Sequence, residues 1–304
     1  MMGDDDGMVT LGSGPSGLQV YPAAGGSITR YWWEHAGRTF EWLRPAAAAD
    51  IAARNPLGLS CFPLVPFSGR IREGRFTFRD RAVRLPLNFP PERHTIHGHG
   101  WQAPWTVTEA TPDALVIEYA HDADAWPYPY RARQTFALGP ASLVVTLELV
   151  NEGRAPMPAG LGLHPYFVRT AGARVLAEVD KIWLNDREVM PIELADPPAE
   201  RRLGNGVGVE AVAMDNTFTG WSGRALVQWP EWDAHLTISA ESPLIFLVVY
   251  SPPGEDYFCV EPVSNITDAF NYADQGRTDT GLIVLSPGAR ARGTMTLTPA
   301  VGAA

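Results

Sequence analysis

Apolar and polar positions alternate with a period of two through much of this chain. Leu143, Val145, Leu147 and Leu149 alternate with Val144, Thr146 and Glu148, and Phe76 and Phe78 with Arg75, Thr77 and Arg79. The pattern recurs at Leu236, Ile238 and Ala240, and at Met295 and Leu297 among threonines. This period predicts strands with one buried face. The longest apolar run, Pro243 to Tyr250, is also strand length. The one helix candidate, Ala46 to Arg54, is bounded by Pro45 and Pro56, which allows one or two turns or a loop. With 27 prolines and 29 glycines scattered as turn punctuation, the pattern predicts an all-β chain, a large antiparallel β-sandwich or barrel with few short helices. Residues 1–7, with Asp4-Asp5-Asp6 between glycines, read as a disordered leader, and 8–304 as one domain.

Composition narrows the functions available. The net charge of -10 and the lack of a basic patch interleaved with aromatics argue against nucleic acid. No stretch approaches the roughly eighteen apolar residues of a membrane helix, so no membrane partner is expected. Two distant cysteines without a CxxC, and no secretory leader, predict reduced thiols and a cytoplasmic protein. Lys181 is the only lysine, in a context that does not favour Schiff-base chemistry. Gly12-Ser13-Gly14-Pro15-Ser16-Gly17 lacks the Gly-Lys-Ser/Thr ending of a phosphate loop and reads as a surface turn.

Candidate chemistry gathers in a few segments. His164 ends the apolar run Leu161-Gly162-Leu163 and precedes Pro165-Tyr166-Phe167, which predicts an imidazole fixed at a strand end and suited to proton transfer. Glu261 follows Tyr257-Phe258-Cys259-Val260 and precedes Pro262; burial there raises a carboxyl pKa, as a general base near neutrality requires. Arg70 offers a fork of donors suited to polyol oxygens, and Asp215 can accept hydroxyl hydrogen bonds. The segment His94-Thr95-Ile96-His97-Gly98-His99-Gly100-Trp101 has two readings. In one, His97 and His99 share a strand face and bind metal, although no acid at suitable spacing follows. In the other, a glycine-flanked turn presents His97 to a ligand, and Trp101 stacks on an apolar sugar face.

Together and in order, Pro66-Phe67-Ser68-Gly69-Arg70-Ile71, Ile96-His97-Gly98, His164-Pro165-Tyr166-Phe167, Met214-Asp215-Asn216, Val260-Glu261-Pro262 and Asp268-Ala269-Phe270-Asn271 resemble the aldose 1-epimerase (mutarotase) family. The resemblance spans about Leu57 to Leu297. It implies a β-supersandwich with an open carbohydrate cleft, no metal and no cofactor, and a small-molecule sugar as partner. It further implies that Glu261 takes the anomeric proton, that His164 protonates the ring oxygen, and that His97, Arg70 and Asp215 hold the sugar. His99 stands where the family has a second glycine and is expected at one edge of the sugar. Ser68-Gly69, Val168-Arg169 and the Cys-Val before Glu261 also depart from the galactose-acting pattern. Two alternatives stand beside the free aldose. A hexose 6-phosphate would need a cationic pocket, for which Arg72, Arg75 and Arg169 are candidates. A binding module would use the same scaffold without turnover.

Overall fold

A computed structural model describes residues 7–302. The expected leader therefore lies, Gly7 apart, outside the described residues. Two antiparallel sheets dominate. The larger has eleven strands, running in space Val9–Ser13, Ser16–Tyr21, Ser27–His35, Cys61–Leu64, Gly162–Val168, Tyr257–Val263, Phe246–Ser251, Met214–Thr219, Lys181–Asn185 and Pro191–Ala195, with Arg38–Glu41 paired to Ser27–His35. The second has nine strands, with Ser142–Asn151, Arg290–Val301 and Ala234–Ala240 at its centre. The only α-helices among the described residues are Ala48–Ala53 and Ala269–Asp274. This is the expected all-β sandwich.

Each period-two segment became a strand with its apolar set inside, Ala240 at a strand end being half-buried. Leu143, Val145, Leu147 and Leu149 are all buried, as are Phe76, Leu236, Ile238, Met295 and Leu297. Between the sheets, Phe167 packs on Phe258 at 5.7 Å and on Trp229 of the nine-stranded sheet at 6.5 Å. Phe167 and Phe258 thus face the second sheet, so residues alternating with them point the other way. The Pro243–Tyr250 run is strand only from Phe246 onward, because Pro243 to Ile245 form the turn that enters it.

Two expectations about strand ends fail together. His164 lies inside Gly162–Val168 and Glu261 inside Tyr257–Val263, in the middle of the larger sheet. Pro165 and Pro262 are tolerated because pairing between these strands is interrupted: Gly162 pairs with Val263 and Tyr166 with Cys259, with no partners between. Residues 162–165 pair instead with Leu64 to Cys61 on their other side. Proline removes an amide from one ladder, and here that ladder is already open.

Candidate active site

A cavity of about 220 Å³ lies on the face of the larger sheet turned away from the second sheet. Its floor is built by alternation. Adjacent strands contribute His164 and Tyr166, then Tyr257 and Glu261, then Val248 and Tyr250, then Asp215 and Thr217, and finally Asn185. Register aligns them, with Glu261 opposite Val248 and Tyr250 opposite Asp215. The walls come from connecting segments that carry Ser68, Gly69, Arg70, Phe89, Glu92, Ile96 and His97.

The segments bearing Arg70 and His97 are fastened by buried polar groups. The Asn265 side chain accepts from the Ser68 amide at 3.2 Å and donates to the Ser68 carbonyl at 3.0 Å. The Asp268 amide donates to the Arg70 carbonyl, and its carboxylate accepts from the Arg72 amide and the Asn271 side chain. The Asp268 to Asn271 motif therefore holds the turn that carries Arg70. His97 adopts φ 60, its amide donates to the Gly69 carbonyl, and its Nδ1 accepts from the Gly69 amide at 3.2 Å. Gly98 follows at φ 70, where a Cβ would sit 2.3 Å from the Val65 carbonyl oxygen; only glycine fits.

Electrostatics follow from burial. His164 Nε2 lies 3.4 Å from Glu261 Oε1, and both side chains are buried. Desolvation holds His164 down at about 3, with Arg70 acting in the same sense. Desolvation also pushes Glu261 well above the usual carboxylate range, with Asp215 adding to the rise and Arg70 opposing it. His97 is likewise pushed well below its ordinary value by burial, then by His164 and Arg70. A neutral His97 whose Nδ1 accepts a hydrogen bond carries its proton on Nε2. Arg70 Nη1 stands 3.7 Å from Asp215 Oδ2. Asp215, 30% exposed at the side chain, is raised by desolvation against the pull of Arg70.

The cavity gathers His164, Glu261, His97, Arg70 and Asp215, but two expected residues are elsewhere. Trp101 is 1% exposed and packs edge-on against His97 at 6.1 Å and against Phe62 at 5.5 Å, so it offers no face to a ligand. Its Nε1 donates to the Gly98 carbonyl at 3.2 Å, which makes it a brace for the His97 turn. Trp101→Phe is therefore expected to lower stability by about 1–3 kcal/mol, through the lost hydrogen bond and the smaller buried ring, although Asn88 Nδ2 still donates to the Gly98 carbonyl. The loss is read in thermal unfolding, and a rise in KM at unchanged stability would instead restore the stacking role. His99 points away from the cavity, stacking on His121 at 4.4 Å and bonding Tyr130 through Nδ1. The left-handed backbone at His97 and Gly98 ended the strand after Ile96, so the two histidines do not share a face.

Three ligating atoms approach within 4.8 Å of one another in two groups, His164 with Cys259 and Glu261, and His99 with His121 and Asp124. Neither suits a metal. The His99 and His121 rings lie 5° from parallel, so their in-plane lone pairs cannot converge on one ion. Cys259 is wholly buried and does not line the cavity, so an ion in the cavity would meet only His164 and Glu261 of its group.

None of the arginines weighed for a phosphate lines the cavity. Arg169 donates to the Tyr257, Val209 and Pro252 carbonyls and to Ser251 Oγ. Arg72 faces Asp268 at 3.5 Å, and Arg75 faces Glu73 at 3.9 Å. Val168 and Arg169 do not line the cavity, whereas Ser68 and Gly69 do. Glu92, Asn185, Tyr250 and Tyr257 line it without any local sequence signal. Their presence follows from which strands and loops become neighbours.

The chain is thus an all-β sandwich with a cavity over a buried imidazole–carboxyl pair. The aldose 1-epimerase family model matches residues 8–298, and the chain belongs to that family. YphB of Escherichia coli K12, an uncharacterized protein, is 31% identical over 297 residues, spanning 95% of this chain and 97% of its own. A crystal structure of a candidate aldose 1-epimerase from Escherichia coli K12 superposes with a TM-score of 0.87 at 28% identity, covering 97% of this chain and 100% of the other. A galactose mutarotase-like protein of Clostridium acetobutylicum shares the fold, with a TM-score of 0.85 at 22% identity over 97% and 95% of the two chains. No helix among the described residues is long and apolar enough to cross a membrane.

Proposed function

We propose that the cavity binds a free, uncharged aldose and interconverts its α and β anomers by opening and reclosing the ring. One observation carries the reading: His164 Nε2 and Glu261 Oε1, 3.4 Å apart on neighbouring strands, both open onto one small cavity. At about 220 Å³ the cavity is below the roughly 300–1,000 Å³ that drug-sized ligands occupy, and is scaled to a monosaccharide.

The pair shares one dissociable proton. In the empty site that proton rests on Glu261, because burial favours the neutral carboxyl and the neutral imidazole. Moved to His164, it leaves a carboxylate to accept the anomeric hydroxyl proton and an imidazolium to protonate the ring oxygen. The C1–O5 bond breaks and the open aldehyde forms, with the pair returned to carboxylic acid and neutral imidazole. Rotation about C1–C2 turns the other carbonyl face toward the C5 hydroxyl, and the same proton transfers run backward to close the ring. Atoms and protons balance without a cofactor. His97 donates from Nε2 to a sugar oxygen, while Arg70 and Asp215 hold hydroxyls. Each acid–base contribution is worth about 10²–10⁴-fold, enough for a reaction that proceeds unaided in water.

Charge favours a neutral sugar. Arg70 is the one guanidinium lining the cavity among the described residues, and the carboxyl groups of Glu92 and Asp215 flank it. A phosphate dianion there would meet more carboxyls than cations. Anomer exchange measured by NMR across a panel of aldoses and their 6-phosphates tests this. The expected result is acceleration on at least one free aldose, with kcat/KM lower by about tenfold or more on its phosphate. A preference for the phosphate would reverse the assignment, and binding without exchange would leave a sugar-binding module.

A further inference from the structure

Arg70 is bracketed by two carboxylates to which it is not hydrogen-bonded. Its Nη1 is 3.7 Å from Asp215 Oδ2, and its Nε is 3.8 Å from Glu92 Oε2. Both distances exceed hydrogen-bond reach. The guanidinium is only 13% exposed, and its buried Nε has no hydrogen-bond partner. Nε itself has no accessible surface, so an arriving group meets this buried, under-bonded cation at its terminal nitrogens, of which Nη1 faces Asp215. Glu92 reaches Arg70 from the wall segment next to Phe89, whereas Asp215 rises from the sheet floor. The two carboxylates therefore flank different edges of one planar cation.

A sugar hydroxyl is donor and acceptor at once. Seated between a guanidinium N–H and a carboxylate, it accepts from the first and donates to the second, satisfying both. The arrangement offers one such seat between Arg70 Nη1 and Asp215, and beside it at the rim the part-exposed carboxylate of Glu92 as a second acceptor. We infer that it clamps two neighbouring ring hydroxyls, and that Glu92 is a specificity-determining residue for the hydroxyl at the rim. The inference rests on the aldose reading of the cavity. It adds a requirement: a substrate must present two adjacent hydroxyls, one to Arg70 and Asp215 and the next to Glu92, and removal of the one nearer Glu92 must weaken binding.

The test pairs Glu92→Ala and Glu92→Gln with the aldose that the wild-type protein exchanges fastest and with each monodeoxy analogue of it. Binding is measured by titration calorimetry, exchange by NMR, and folding by thermal unfolding. Glu92→Ala is expected to weaken binding of the parent sugar by about tenfold or more, as for loss of a hydrogen bond to a charged group. The loss falls in KM rather than kcat. Glu92→Gln, which keeps an acceptor oxygen and nearly the same shape, falls between. One monodeoxy analogue is expected to bind variant and wild type equally, because the hydroxyl that Glu92 holds is absent from it. Parent-sugar binding within twofold in Glu92→Ala, or an equal loss for every analogue, overturns the clamp. Exchange that ignores Glu92 overturns the clamp alone. Binding that depends on Glu92 without any exchange upholds the clamp and overturns the catalytic reading. Absence of both binding and exchange for every aldose overturns both.

Discussion

Glu261→Gln is expected to lower kcat for anomer exchange by about 10²–10⁴-fold while changing sugar affinity little. Glutamine keeps the shape and one acceptor oxygen of the side chain but cannot take a proton from the anomeric hydroxyl. The same substitution should stabilise the fold. Burial raises the Glu261 pKa above its unfolded value of 4.5, so the protonated form favours the native state. Below pH 4.5 the carboxyl is protonated in both states and has no net effect. As pH rises beyond 4.5, the unfolded chain ionises freely while the folded site must retain the proton or bury a charge. Stability falls over that range until the folded pKa is passed. The unfolding midpoint of Glu261→Gln should therefore exceed that of wild type at pH 7, and the gap should shrink toward pH 4. A variant with undiminished kcat would remove Glu261 from the role of base, whatever its stability.

His164→Asn is expected to cost a similar factor, about 10²–10⁴-fold in kcat, because it removes the proton carrier that stands 3.4 Å from Glu261. The pH profile of the wild-type protein distinguishes this pair from a lone imidazole. Activity requires one proton on the pair. It is lost on the alkaline side, when Glu261 ionises beside a neutral His164. On the acid side His164 takes its own proton only near 3, not near 6.5. Hence kcat/KM should show no acid limb near 6.5 and should decline on the alkaline side as Glu261 ionises. A falling acid limb centred at 6.5 would mean that an unburied imidazole governs the rate.

Much of this was legible in the chain because it depends on local order. Period-two alternation at Leu143 to Leu149 or at Met295 and Leu297 states which side chains face inward wherever the strand is placed. His164, Glu261, His97, Arg70 and Asp215 were legible for a different reason: each sits in a short distinctive segment, and the segments occur in a recognisable order. Local reasoning misled where proline was read as a strand terminus, since Pro165 and Pro262 lie inside strands whose shared ladder is interrupted. It misled again at Trp101 and His99. A tryptophan or histidine beside a glycine looks available to a ligand, yet Trp101 is buried behind the His97 turn and His99 turns toward His121.

By itself, then, the sequence determined the strand periodicity, the acidic and lysine-poor surface, and the identity of the imidazole and carboxyl that form the pair. Tertiary structure alone decided what surrounds that pair. The strands carrying His164 and Glu261 are nearly a hundred residues apart in the chain, and only their antiparallel pairing sets the two side chains 3.4 Å apart. Glu92 joined Arg70 by the same route, from a wall segment with no motif of its own. The physical reason is one of range. Side-chain alternation is dictated by backbone geometry within a few residues, whereas burial, desolvation and charge balance in a cavity depend on every element that packs around it.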